Sequence, residues 1–565
     1  MKFLLTKTRR SLAISLLGLL VIESVVCWLY RGPRPISDEP VNVEVATNVS
    51  KGFSAERALG IHEELFPPKP HPAGSIENQL VRDRLVELLR NMGWQVEVQT
   101  AVVESDAKVV IHNVLAWHRA SEKLETRPLV LASHYDSCRT GPGAGDAGIC
   151  VAAVIEAATT LIEKTRTSGE TLKRPIYLLF TDGEELGLLG AQHFVKRHPL
   201  SSRQPIVLNF DARGTSGPVL MYETHASNRV AIAAWSNEMA RPRITASLFS
   251  SVYRTLPNGS DFTVFQQAGW QGFNFAIIDG AHRYHQPDDT LANLDGRSLQ
   301  HFGEHALRLA RRIATTDAEL REPAGNAAYF DVLGLFVVHY PLSWCLPLSI
   351  MAFVSVSLMN RRSFLARDGL RTLILVGVAG IAVAVASAVS GWFLSRLMRD
   401  LGLLPRSFVW YGHALSAGLW LVSAAISLGT AHWLLRRSSA ETVWSILWLW
   451  WTLAGISVAT IAPEFSHLFL WPACLSAALS GSRWSVAMRT ILVTLGSAVL
   501  LIPVQHLLSI AIGPSSGGLL CPAFALALMP LFPAMGMQGN DLLTSPLPCR
   551  SSHSAAPAPR RPLAR

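Results

Sequence analysis

The sequence predicts two architectures in one chain: an α/β module with a mostly parallel central sheet flanked by helices, and a multi-pass α-helical membrane domain. Three observations predict it. Of 565 residues only 16% are charged and 49% are hydrophobic, where a soluble protein would carry roughly a quarter charged residues. The deficit is local, because Phe336 to Met535 holds eleven Arg, no Lys and four acidic residues. Helix-like and strand-like segments alternate over residues 54–317, and apolar runs near the length of a bilayer span flank that stretch. A wholly soluble enzyme, a disulfide scaffold and a disordered chain are excluded together.

The first apolar run, Ser11–Tyr30, follows Lys2, Lys7, Arg9 and Arg10 and ends without a small-residue cleavage site. Basic residues before an apolar run place the N-terminus in the cytosol, so residues 1–30 read as an uncleaved signal anchor. Glu23 inside it is unusual for a span; it can face a partner helix, and no functional role is expected of it. Residues 31–53 read as a linker. In the α/β module the spacing predicts helices over Ala55–Leu65 and Ile76–Met92, then strands over Gln95–Val103, Val109–Trp117 and Pro128–Ala132. A long helix follows at Ala147–Glu163, then a strand at Ile176–Phe180, a helix through Ala191–His193, and strands at Ile206–Phe210 and Gly272–Ile278.

Beyond residue 330 the predicted spans are Leu335–Met359, Thr372–Leu394, Phe408–Leu434, Val443–Ile461, Phe465–Leu479, Met488–Ile510 and Leu519–Met535. These make residues 335–535 a membrane domain of about seven helices, and 536–565 a disordered tail rich in Ser, Pro and Ala. Arg361, Arg362, Arg367, Arg371, Arg436, Arg437, Arg560 and Arg561 fall on the predicted inner side. Arg396, Arg399 and Arg406 fall on the outer side, against the rule. An even number of spans puts both termini in the cytosol and the α/β module across the membrane.

The net charge of +9 sits wholly beyond residue 335, since the preceding residues sum to −1. Inner loops of a membrane protein explain that distribution, and a nucleic-acid face does not. The partners expected are a peptide substrate and the bilayer. The seven cysteines form no C-x-x-C pair. Cys138 and Cys150, the two in the α/β module, read either as a disulfide or as two small buried residues.

In open α/β sheets, sites form at the carboxyl ends of strands, and polar clusters gather there in this sequence. They are His134-Tyr-Asp136, the Gly-rich Gly141–Asp146, Asp182-Gly-Glu184-Glu185, Asp211-Ala-Arg-Gly214, and Tyr284-His285-Gln-Pro-Asp-Asp289. Two His and three carboxylates suit a pair of zinc ions, each with one His and one carboxylate and a third carboxylate shared. Adjacent glutamates on extended backbone diverge, so that one can ligate while the other moves a proton. An Asp two residues after a His can accept from its far ring N–H. Taken singly, Asp146 or Asp182 would read as a helix cap.

The ordered motifs His-x-Asp, Gly-Ala-x-Asp, Asp-Gly-Glu-Glu-x-Gly, Asn-Phe-Asp and Tyr-His-x-x-x-Asp resemble those of the dizinc aminopeptidase family. That family includes the secreted bacterial leucyl aminopeptidases and the glutamate carboxypeptidases. The resemblance implies two Zn2+ ions, with His134 and Asp211 on one, Glu185 and His285 on the other, and Asp146 bridging. It makes Glu184 the general base and Asp136 the orienter of His134. The segment Asn258-Gly-Ser-Asp261 resembles one that lines the family's site. Where members commonly carry a second Asp after the bridging one, this chain has Ala147. An N-terminal anchor with a C-terminal multi-pass module resembles the narrower branch of endoplasmic reticulum metallopeptidases and vacuolar membrane proteases. The implied protein is a membrane-anchored aminopeptidase facing the periplasm or an organelle lumen. Its rivals are a single-zinc glutaminyl cyclase-like enzyme, a non-catalytic membrane scaffold or receptor, and a transporter with a peptidase-like sensor.

Overall fold

The computed structural model describes residues 7–31, 52–104, 108–118, 126–255, 259–317, 319–320, 325–365, 368–404 and 413–536. Most of the expected linker, all but the first residue of the expected tail, and Asn258, Arg367, Arg406, Arg560 and Arg561 lie outside them.

The N-terminal run is a helix, α1 (Lys7–Leu29). The α/β module follows as α2 (Ala55–Leu65), α3 (Ile76–Asn91), β1 (Gln95–Glu104), β2 (Lys108–Trp117), β3 (Leu129–His134), α4 (Cys150–Ser168), β4 (Ile176–Thr181), α5 (Leu189–Arg197), β5 (Ile206–Ala212), β6 (Ser216–Thr224), α6 (Arg229–Glu238), β7 (Ile244–Thr245), α7 (Ser247–Tyr253), α8 (Asp261–Gln267), β8 (Gln271–Asp279) and α9 (Gly296–Ala314). The strands form one eight-stranded sheet in the order β1-β2-β4-β3-β5-β8-β6-β7. The centre, β4-β3-β5-β8, is parallel throughout. β1 and β2 join antiparallel on one side and β6 pairs antiparallel with β8 on the other.

The central strands read as continuous apolar runs because both faces of the sheet are covered. Along β3, Leu129 and Leu131 enter the larger core beneath α2, α4 and α9, while Val130 and Ala132 enter the smaller core beneath α5 and α8. Residues Ala144–Ser168 are apolar enough to cross a bilayer, yet nearly all of that stretch is buried inside the α/β module. A helix apolar on all sides is a core helix when protein surrounds it.

A hairpin, β9 (Ala327–Val332) and β10 (Phe336–Pro341), leads to the apolar helices of the C-terminal half. The first expected span therefore begins about ten residues late, because the apolar residues 336–341 are spent on an edge strand. Then come α10 (Cys345–Phe364), α11 (Gly369–Asp400), α12 (His413–Leu435), α13 (Ala440–Ile461), α14 (His467–Ser480), α15 (Val486–Ile512) and α16 (Gly517–Leu528). Six segments here are long and apolar enough to cross a membrane, and α14 and the apolar part of α1 are shorter.

The helices alternate in direction. One end gathers Asn360, Thr372, Ser438, Ser445 and Ser480 through side-chain hydrogen bonds, with an Arg489–Glu441 ion pair. The other end meets the α/β module. There Val26 of α1, Tyr30 just beyond its end and Leu507 of α15 share one apolar cluster with Leu220, Tyr222, Ile244 and Ala276 of the sheet edge. Ser395 donates to the carbonyl of Pro514 at that same end (2.7 Å), so Arg396 and Arg399 lie on the α/β side.

Candidate metal centre

The polar clusters converge where the parallel strands end. His134 closes β3, Thr181 closes β4, and Asp211 sits one residue from the end of β5. The Gly-rich segment forms a π-type turn, Ala144–Ile149, that carries Asp146 onto the strand ends; the peptide between Asp146 and Ala147 is cis. Asp289 fixes this turn. Its carboxylate accepts from the N–H of Gly145 (2.7 Å) and of Asp146 (3.2 Å), and its carbonyl from the N–H of Ala144 (3.2 Å). A side chain at Gly145 would collide with that carboxylate, its Cβ falling 2.8 Å from Asp289 Oδ1.

Asp146 is the hub. Its Oδ1 lies 3.1 Å from His134 Nε2, and its Oδ2 lies 3.3 Å from His285 Nε2. On the first side Asp211 Oδ1 is 3.6 Å from His134 Nε2. On the second Glu185 Oε2 is 3.0 Å from His285 Nε2. The ligand atoms of His134, Asp146 and Asp211 all lie within 4.8 Å of one another. Cys138 Sγ forms a second such group with Glu185 and His285, which its sequence position does not reveal. Cys138 and Cys150 are both free thiols, so the disulfide reading does not hold; the reading as small buried residues holds for Cys150 and not for Cys138, which is half-exposed.

Asp136 acts mainly on its neighbours. The far nitrogen of His134, Nδ1, lies 3.0 Å from the main-chain carbonyl of Asp136 and 3.6 Å from its carboxylate. The carboxylate instead accepts from the N–H of Glu184 (3.1 Å) and of Glu185 (3.3 Å). These glutamates stand on a turn rather than on extended backbone. They still diverge, Glu185 towards His285 and Glu184 into a cleft that Asp146 and Asp211 also line. Asp182 caps no helix. It accepts from Asn78 Nδ2 and from the N–H of His112. Asp261 is buried at the start of α8, hydrogen-bonded to the Thr181 hydroxyl.

So many carboxylates in one desolvated place repel one another. Burial, and then Asp146, pushes Glu185 up to about 7. Burial likewise raises Asp261 to about 7 and Asp289 to about 6, and takes Glu184 well above the carboxylate range. Burial would raise Asp146 too, but His134 and His285 hold it at about 2. Burial would lower His285, yet its bonds to Asp146 and Glu185 lift it to about 11. Glu185 Oε1 remains buried without a hydrogen-bond partner. Two groups of mixed N and O donors around one shared carboxylate fit divalent cations of the zinc type.

The same cleft is lined by Arg213, Leu220, Phe249, Val252 and Tyr284, and by Leu507, Leu508 and Ala511 of α15. Tyr284 stacks on His285, with ring centroids 3.7 Å apart. Sequence reasoning assigned no role to Asp289, Cys138 or α15. Of these, Asp289 alone left a signal, four residues after His285 in the last motif.

Fold and site define a class: an α/β domain with paired His–carboxylate sets at its strand ends, joined to apolar helices of membrane-spanning length. Residues 113–310 match the model of Peptidase family M28, so the chain carries a domain of that family. The chain is similar to endoplasmic reticulum metallopeptidase 1 of Homo sapiens, 27% identical over 401 residues that cover 64% of this chain and 42% of that one. A putative endoplasmic reticulum metallopeptidase 1-B of Caenorhabditis elegans is 25% identical, over 90% of this chain and 57% of that one. A vacuolar membrane protease of Candida albicans is 27% identical, over 51% and 32%. The chain thus spans between a third and somewhat more than half of these relatives. Among solved structures, a zinc aminopeptidase from Bacillus subtilis is 13% identical with a TM-score of 0.38, covering 48% of this chain and 97% of that one. A glutaminyl cyclase from Porphyromonas gingivalis is 18% identical with a TM-score of 0.37, covering 45% and 97%.

Proposed function

We propose that the chain is a membrane-anchored zinc metallopeptidase, acting as an aminopeptidase on the non-cytosolic face. The observation that carries this reading is the position of Asp146, with one carboxylate oxygen towards His134 and Asp211 and the other towards His285 and Glu185. His134 and Asp211 would hold one zinc, Glu185 and His285 the other, and Asp146 both. Bound there, the two cations supply the Lewis acidity that makes water nucleophilic at neutral pH and polarises a peptide carbonyl. Glu184 accepts the proton that the attacking water gives up and delivers it to the leaving amine. Its carboxylate is suited to this because burial raises its proton affinity. Asp136 sets the direction of both glutamates through their backbone N–H groups, and Asp289 sets that of Asp146.

The orientation is supported by charge. Lys7, Arg9 and Arg10 open α1, Arg361 and Arg362 close α10, Arg371 opens α11, and Arg436 and Arg437 follow α12. With Arg483 and Arg489 these occupy the helix ends away from the α/β module. Basic residues mark the cytosolic side. On this reading α1 is the signal anchor, residues 54–317 the peptidase domain and residues 335–535 the membrane domain.

The test is metal content of the detergent-purified full chain beside hydrolysis of aminoacyl chromogenic amides. Two zincs per chain with chelator-sensitive hydrolysis are expected. One zinc with cyclisation of N-terminal glutamine would replace the reading with a cyclase, and a metal-free, inert chain would replace it with a scaffold.

A further inference from the structure

We propose that α15 of the membrane module is a specificity element of the peptidase site, and that the side chain it receives is large and apolar. The inference rests on the peptidase reading above.

The cleft has two chemically distinct sides. Asp146, Glu184 and Asp211 form the polar one. Leu220 of β6 and Phe249 and Val252 of α7 line the cleft together with Leu507, Leu508 and Ala511 of α15, and Tyr222 and Tyr253 line it too. Leu508 and Ala511 are three residues apart and so share one face of that helix. Both are half-buried, whereas Leu507 is buried against α1 and the sheet edge. The packing that joins the two modules therefore also builds the wall of the site.

The empty space in this cleft is about 970 Å³, open solvent included, within the usual range for a small-molecule site. A substrate whose scissile carbonyl lies by Glu184 has an apolar wall for the side chain next to that bond. Arg213 is the one cationic side chain lining the cleft among the described residues, and no carboxylate lines the α15 side. A cationic side chain would lose its water there without a carboxylate partner. Leucyl and phenylalanyl ends are thus favoured over alanyl and lysyl ends. Because the wall is the end of a membrane helix, the site lies where the α/β module meets the helix bundle. The α/β module alone would present the catalytic groups with one side of the pocket missing.

The experiment uses the full chain in lipid nanodiscs, loaded with zinc and assayed on leucyl, phenylalanyl and alanyl chromogenic amides. Ala511→Phe, which fills the pocket, is expected to lower the leucyl-to-alanyl ratio of kcat/KM about tenfold or more, the discrimination that a methylene or two carries in an apolar pocket. Leu508→Ala, which enlarges it, is expected to shift preference from leucyl towards phenylalanyl. Leu492→Phe, at an exposed side chain of the same helix about four turns from the cleft, is expected to leave all three rates unchanged. If Ala511→Phe does not fold, Leu508→Ala alone decides, since it only truncates a half-buried side chain. Unchanged side-chain ratios in folded, active variants would overturn the role of α15 and leave the peptidase standing. A zinc-loaded wild type that hydrolyses none of the amides would overturn the peptidase reading, and the subsite with it.

Discussion

Asp136 holds Glu184 by the backbone: the N–H of Glu184 donates to Asp136 Oδ1 at 3.1 Å, and the next N–H, of Glu185, donates to Oδ2 at 3.3 Å. One buried carboxylate thereby aims both the residue that would move the proton and a residue that would bind metal. The two positions separate by mutation. Glu184→Gln keeps the fold and the donors and is expected to retain zinc while turnover falls by about 10²–10⁴, the usual contribution of a general base. Asp136→Ala frees the turn and is expected to lower both turnover and zinc content. Zinc analysis beside kcat checks this, and near-normal turnover in metal-loaded Glu184→Gln would remove the role of that residue.

Asp289 offers a second test, because it touches no expected ligand side chain and acts on the backbone of the Asp146 turn. Its loss leaves the N–H groups of Gly145 and Asp146 buried without acceptors, at about 1–3 kcal/mol each. Asp289→Ala is expected to lower zinc affinity at least tenfold, in line with the usual cost of losing a group that orients a ligand. Titration with a competing chelator measures it, and wild-type affinity would show that the turn holds itself.

Much of this site is legible in the amino-acid sequence because strand ends are a place that sequence can name. His134, Asp182 and Asp211 each follow an apolar run short enough to be a strand, and a parallel sheet brings such ends together. Asp289 is legible as a motif position but not as a function, since its target is a backbone N–H, which leaves no residue type to recognise. The α15 wall is not legible. Almost 300 residues separate Asp211 from Leu508, and an apolar helix looks the same whether lipid or a cleft lies against it. Residues 336–341 mislead for a related reason. They are apolar enough to extend a span, and only their pairing with β9 makes them a strand.

Acidity acts on two buried carboxyls of the metal-free chain in a definite direction. Burial lifts Asp182 and Asp261 to about 7 in the folded state, against roughly 3.9 for an unfolded aspartate. A raised pKa contributes stability below the unfolded value and loses it as pH rises through the folded one. The contribution of these two groups is therefore lost between about pH 4 and pH 7, while the buried His62 and His305, held down to about 4, contribute in the opposite direction. Ligation requires His134 and His285 to give up their protons, so zinc binds better as pH rises. The rise in Tm on adding zinc is expected to be small at pH 5 and large at pH 8. Equal rises at both would contradict the assignment.

Cys138 should report occupancy of the second set. Its thiol groups with Glu185 and His285 and is half-exposed. An ion held there would cover the sulfur or draw it in as a soft ligand. Alkylation of Cys138, followed by peptide mapping, is expected to be fast after chelation and at least several-fold slower with zinc. The exposed Cys474 serves as an internal reference that zinc should not change. Equal labelling of Cys138 with and without zinc would place the ion elsewhere.

Helix α1 is tied to the cleft by a pair that lies on none of the five motifs. Glu23 Oε1 of α1 meets His506 Nδ1 of α15 at 3.1 Å, and Tyr30 packs edge-on to the same imidazole. His506 immediately precedes Leu507, whose side chain enters both the module interface and the cleft. Polar contacts between membrane helices contribute only about 0.6 kcal/mol on average and rarely above 1.7, so losing this one should not unfold the chain. Glu23→Leu is expected to lower Tm by a few degrees and to raise KM for the leucyl amide more than it lowers kcat, because α15 loses a lateral support while Glu184 keeps its own. Glu23→Gln retains an acceptor for the imidazole N–H and should restore most of both. A Glu23→Leu variant with wild-type KM and Tm would mean that the apolar cluster of Val26, Tyr30 and Leu507 holds α15 in place unaided.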